Sequence, residues 1–95
     1  MKLKQLRSKD WRLLKPNLLL FVQRYGENRI TSESLRLFRS LQPKDLSFQQ
    51  GNQICIGTDH NRLIAVSFLK NYGKDASIIV VSPSHRGKQL AKHLL

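Results

Sequence analysis

The chain has 95 residues, is 40% hydrophobic, and carries 17 Lys+Arg against 6 Asp+Glu, a formal net charge of +11. That length allows one small domain at most, the hydrophobic share excludes a disordered tail, and no apolar run approaches the ~20 residues that cross a bilayer. The charge attracts polyanions (nucleic acid, anionic membrane or a phosphate-rich cofactor) without choosing among them, and its cations are scattered from Lys2 to Lys92 with no run of five.

Residues 1–6 set Leu3 against Lys2 and Lys4, an alternation that predicts a short edge strand. Ser8 or Asp10 is placed to cap a helix. Trp11, Leu14, Leu18, Phe21, Val22 and Tyr25 recur at three- and four-residue spacing, the pattern of a buried helical face. Pro16 interrupts that stripe. An interior proline costs about 3 kcal/mol, which predicts a kink or a fresh helix start there. Gly26 is the expected stop. The basic N-terminus is not followed by a long apolar region, because Arg12, Lys15, Pro16 and Asn17 break residues 11–20, so no secretory signal is expected.

Thr31 or Ser32 begins a second helix, with Leu35, Phe38 and Leu41 inward, Leu37 extending that stripe, and Arg36 and Arg39 toward solvent. Residues 42–52 have little periodicity and contain Pro43 and Gly51, so they read as a loop that Leu46 and Phe48 pin down. Two strands follow, over 53–57 and 62–70, joined by a polar hairpin connection over 58–61. In the second strand both alternating sets are largely apolar, as expected of a strand covered on both faces. Cys55 lies between Ile54 and Ile56 and reads as a buried, inert thiol. As the single cysteine it excludes an intrachain disulfide and fits a reducing, cytoplasmic compartment. Residues 71–75 form the next turn, with Gly73 free to take a positive φ.

The remaining nineteen residues, SIIVVSPSHRGKQLAKHLL, organise the rest. Residues 77–81 are apolar and β-branched and predict a strand. Pro83 keeps Ser82 extended. Leu90, Ala91, Leu94 and Leu95 share one face of a helix opening near Lys88. A strand running through a turn into a helix aims unpaired N–H groups at the strand's carboxyl end, a ready anion site.

These residues resemble the acyl-coenzyme A binding motif of the GCN5-related N-acetyltransferases, V-x-P-x-x-R-G-x-G-x-G/A-x-x-L-L. Val81, Pro83, Arg86, Gly87, Ala91, Leu94 and Leu95 fall in place, and Gln89 stands where the family usually has a glycine that lets backbone approach the pyrophosphate. The resemblance implies an α/β (α+β) domain over residues 1–95: an N-terminal strand, two helices, an antiparallel three-stranded meander and a crossover helix. It further implies that a fifth strand, a helix and two more strands would complete the fold. The chain is therefore expected to be a truncated domain of low activity by itself, with a sheet edge open to dimerisation.

The implied reaction is acetyl transfer from acetyl-coenzyme A to an amine, on a small molecule or on a peptide or protein. The resemblance assigns the backbone of Val80 and Val81 to the pantetheine arm. It assigns Arg86, Gly87, Lys88, Gln89, Leu90 and Ala91 to the pyrophosphate, with charge from Arg86 or Lys88. No general base or acid is assigned. Asp75 reads as a turn residue and His85 as a solvated turn histidine, while Tyr25 and Tyr72 do not match the family's acidic tyrosine. His60, His93 and Cys55 show no metal-ligand spacing. The alternatives are a small basic nucleic-acid-binding module or an inactive interaction domain of the same fold. Against the former, aromatic and basic residues do not interleave along any one strand.

Overall fold

The computed structural model describes residues 2–26 and 30–85. The chain starts with strand β1 (Lys2–Gln5) and helix α1 (Ser8–Gly26), followed by α2 (Ser32–Ser40). Two short 3-10 turns, Pro43–Asp45 and Phe48–Gln50, lead to β2 (Gln53–Asp59), β3 (Arg62–Lys70) and β4 (Ala76–Val81), and a last 3-10 turn spans Pro83–His85. The described strands form one antiparallel sheet in the order β1-β2-β3-β4. This is the mixed α+β order expected as far as Val81; the crossover helix lies outside the described residues.

Helix α1 starts at Ser8 because Asp10 reaches back: its Oδ2 accepts the Arg7 N–H at 2.9 Å. Asp10 is thus the third helical residue and Arg7 the cap. That hydrogen bond, with Lys4 and Arg7 nearby, holds the Asp10 carboxyl below its ordinary pKa. The helix runs through Pro16 to Gly26, so the expected fresh start does not occur. Pro16 and Arg12 are both exposed. Pro16 lacks the N–H that would pair with the carbonyl four residues back, and it does so on the exposed side of the helix, while Trp11 and Leu18 are buried on the other side. Thr31 caps α2, its Oγ1 accepting Ser34 N–H at 3.1 Å. On the solvent side Arg36 Nε donates to Glu33 at 2.9 Å, so Arg36 is part of a solvated helix face.

Both helices cover one face of the sheet. Trp11, Leu18, Phe21, Val22, Phe38 and Leu41 pack with Ile54, Ile56, Val66, Phe68, Ile78 and Val80 in a single core. Each large side chain so buried contributes about 1.5–3 kcal/mol relative to exposure. An aromatic chain ties the layers, Trp11 to Phe38 at 5.1 Å between centroids and Phe38 to Phe68 at 5.0 Å. The Trp11 Nε1–H donates to the Leu41 carbonyl at 2.9 Å, so the one polar atom of the ring is satisfied in the core.

On the opposite face Ile64 and Ala65 cluster with Cys55, Ile79 and Val81. Ile64 through Phe68 are all buried, which is the two-sided cover expected of β3. Cys55 is half-buried there. Burial pushes its thiol above the ordinary value, and a hydrogen bond with Ser67 offsets part of that.

The connections decide how the strands are aimed. β2 runs two residues further than its apolar pattern suggested, and the hairpin turn is only His60-Asn61, both at positive φ, 51° and 62°. Two consecutive left-handed residues make the tight turn that matches strand twist. Beyond it a bulge shifts the register between Gly57 and Thr58, leaving Ile64 without a partner on β2. The extra residue turns Leu63 onto the helical face and Ile64 onto the other.

Candidate functional site

Strand β4 forms one edge of the described sheet. Ser82 N–H donates to Ile64 O at 2.8 Å, continuing the β3–β4 ladder in which Val80 lies opposite Val66. In an antiparallel ladder, alternate residues face the partner strand. Val80 and Ser82 therefore direct their backbone groups to β3, and Val81 and Ile79 direct theirs to the sheet edge. Of the two residues assigned to the pantetheine arm, Val81 addresses that edge. Val80 places its side chain, 3% exposed, in the helix-side core.

After Val81 the chain turns through Pro83–His85, with the hydroxyls of Ser82 and Ser84 3.3 Å apart. The pyrophosphate residues Arg86, Gly87, Lys88, Gln89, Leu90 and Ala91 lie outside the described residues, with Leu94 and Leu95. Asp75 is an exposed turn residue whose N–H donates to Lys70 O at 3.2 Å. It lies at the far end of β4 from Ser82. His60 is an exposed hairpin residue 3.7 Å from Asp59.

A cleft of about 430 Å³ opens between α1 and the carboxyl end of β4. Leu20, Phe21, Arg24 and Tyr25 line it from the helix, and Arg62, Leu63 and Ile64 from the start of β3. Ser82 and Ser84 close the side next to the motif turn. Tyr25 stands edge-on to Phe21, centroids 4.9 Å apart, and the Arg24 guanidinium sits 5.4 Å from the Tyr25 ring centre. No carboxylate is among the described residues of the wall, so its field is positive. The bulge at Ile64 is what brings Leu63 to this side, and no periodicity in the sequence announces it. Arg24 and Arg62 are single cations in a chain full of them, so nothing in the sequence singled them out.

Among the described residues no group of three His, Cys, Asp or Glu side chains is placed to hold a metal ion. No described helix is long and apolar enough to cross a membrane.

No protein-family model matches the sequence, and no curated protein matches it. Solved structures do. The ribosomal-protein-alanine N-acetyltransferase of Brucella melitensis biovar Abortus 2308 aligns with a TM-score of 0.51 and 19% identity, over 99% of this chain and 65% of that one. An integron cassette protein from the mobile metagenome of V. cholerae aligns with a TM-score of 0.50 and 18% identity, over 98% of this chain and 62% of its own. The chain therefore spans just under two thirds of the length of each. Over that part, with β1, two helices and an antiparallel meander that ends at one edge of the described sheet, it has a truncated GCN5-related N-acetyltransferase-like fold.

Proposed function

We propose that the chain is part of an N-acetyltransferase that binds acetyl-coenzyme A and transfers the acetyl group to an amine, in the cytoplasm. The observation that carries this is the end of β4. An edge strand finishes at Val81 and enters a turn whose next residues, Arg86 and Gly87, continue the acyl-coenzyme A motif. The fold shared with a ribosomal-protein-alanine N-acetyltransferase supports the same reading.

The residues present suit the cofactor. A strand edge offers N–H and C=O groups at regular spacing to an extended chain of amides, which is what pantetheine presents. In this reading Val81 lies on the edge side of β4 beside that chain, and the buried side chain of Val80 anchors the strand in the core. Backbone N–H groups from Arg86 to Ala91 hold the pyrophosphate, with charge from Arg86 or Lys88. Gln89 stands where the family usually has a glycine. Acetyl-coenzyme A supplies the acyl group as a thioester. This chain's contribution is positional: it fixes the donor along one line beside the cleft where an amine can approach.

Calorimetric titration of the 95-residue protein with acetyl-coenzyme A tests the reading. Saturable binding that is lost on Gly87→Trp, with the fold intact by circular dichroism, is the expected result. No binding, or binding indifferent to Gly87→Trp, overturns the cofactor site.

A further inference from the structure

The cleft beside the end of β4 has features that acetyl transfer by itself does not require. Its apolar lining on the helix side comes from Phe21 and Leu63, and Arg24 and Arg62 also line it, with no carboxylate among the described lining residues. The Tyr25 ring lies beside the Arg24 guanidinium at 5.4 Å. That contact steadies the cation without neutralising it, because a ring face carries no net charge. Both arginines are exposed. A ligand anion can therefore reach them without the cost of burying an unpaired charge. A volume of about 430 Å³ lies at the small end of ligand pockets and suits a molecule of amino-acid to dipeptide size.

We infer that this cleft is the acceptor subsite and that it selects a small amine carrying a carboxylate on a short apolar body, the chemistry of a free aliphatic amino acid. The inference rests on the acetyltransferase reading for the role of the amine. The carboxylate is held between Arg24 and Arg62, a planar fork matching a planar anion. The aliphatic body lies on Leu63 and Phe21. Ser82 and Ser84, directly after Val81, keep this subsite on the side where the proposed donor runs. The bulge at Ile64 is the specificity device: it turns Leu63 toward the helical face, next to Arg62.

The test is a set of amide-resolved NMR titrations of the 95-residue protein with three probes that share one body: L-leucine, L-leucinamide and 4-methylpentanoate. L-Leucine and 4-methylpentanoate are expected to shift Leu20, Tyr25, Leu63 and Ser82 in a saturable way, and L-leucinamide to bind about tenfold more weakly, since it lacks the charged acceptor. Arg24→Gln and Arg62→Gln are each expected to weaken L-leucine about two- to fivefold, the range of an exposed ion pair. Arg12→Gln, on α1 but outside the cleft, is expected to change nothing. Leu20→Asp, which sets a carboxylate at the mouth on a side chain 65% exposed, is expected to weaken L-leucine without touching the fold.

Equal binding of L-leucine and L-leucinamide, an equal effect of Arg12→Gln, or shifts confined to other surfaces would each overturn the inference. A parallel titration with acetyl-coenzyme A keeps the two readings apart. Cofactor binding without L-leucine binding removes the subsite and leaves the donor site standing. Loss of cofactor affinity in Arg24→Gln, with L-leucine unaffected, reassigns the arginines to cofactor phosphate and overturns the subsite too.

Discussion

The two ends of β4 are built on opposite plans. At its start the strand is clasped. Gly51 O accepts Tyr72 N–H at 2.8 Å, and the Tyr72 hydroxyl donates to Gln49 O at 2.8 Å. Buried Asn52 spends both ends of its amide here: Nδ2 donates to Asp45 O at 2.8 Å, and Oδ1 accepts Asn71 N–H at 2.9 Å. Three successive residues, Asn71, Tyr72 and Gly73, sit at positive φ to make this possible. At its finish the same strand meets a cleft of about 430 Å³ with exposed arginines on its walls. The difference teaches where this fold places rigidity. The turn before β4 is fixed by long-range bonds to the loop before β2, so the strand's far edge keeps a defined position while the groups around it stay accessible.

The clasp breaks most severely at Gly51. Its φ is +73°, and a Cβ there would stand 2.5 Å from the Tyr72 backbone N. Backbone strain and overpacking act together, so Gly51→Ala should cost about 2–5 kcal/mol. Urea denaturation measures it; a change near zero would mean the two loops separate without penalty. Asn52→Ala comes next. It strands the Asp45 carbonyl and the Asn71 N–H, and should cost about 2–3 kcal/mol. Asn52→Asp keeps the acceptor for Asn71 and loses the donor to Asp45, so it sorts the two bonds. If Asn52→Asp were as stable as wild type, the Asp45 contact would carry no weight.

Tyr72→Phe removes one bond from a residue that is 64% exposed, where water replaces the lost partner. Its expected cost is about 0.5–1.5 kcal/mol, read from the same denaturation curves. A loss as large as that of Asn52→Ala would show that the ring anchors the clasp through its hydroxyl, and that exposure overstates its freedom.

Much of the fold is legible in the sequence because it rests on local periodicity. The stripe from Trp11 to Tyr25 is the helix face that packs on the sheet, and residues 62–70 are a strand end to end. What escapes is decided by distant partners. Pro16 reads as a breaker, yet exposure of Arg12 and Pro16 leaves little for it to break. Residues 42–52 read as a loop, while their two 3-10 turns and the Asn52 clasp depend on Asn71, nineteen residues further on. At the site, Val80 and Val81 read alike as neighbours in a strand. Only the ladder separates a core anchor from an edge group. The cleft is the least legible, because it needs α1, a bulge and a turn to meet, and no single stretch encodes that meeting.

The open end of β4 supplies the smallest expected effect and the sharpest contrast with the clasp. Leu20 is a large apolar side chain on α1 that is 65% exposed at the cleft mouth. The transfer energy of a leucine is realised only on burial, so Leu20→Asp forfeits little. The helix pays a modest propensity difference for aspartate, and the surrounding positive charge offsets part of it. Stability should therefore stay within about 0.5 kcal/mol of wild type, the range of surface substitutions away from special features. Phe21, the next residue, is 8% exposed in the core, and Phe21→Ala should cost about 3–5 kcal/mol. Paired denaturation curves check both. If Leu20→Asp proved as destabilising as Phe21→Ala, Leu20 would be buried in the protein in solution. The cleft would then not be open, and the contrast between the two ends of β4 would fall with it.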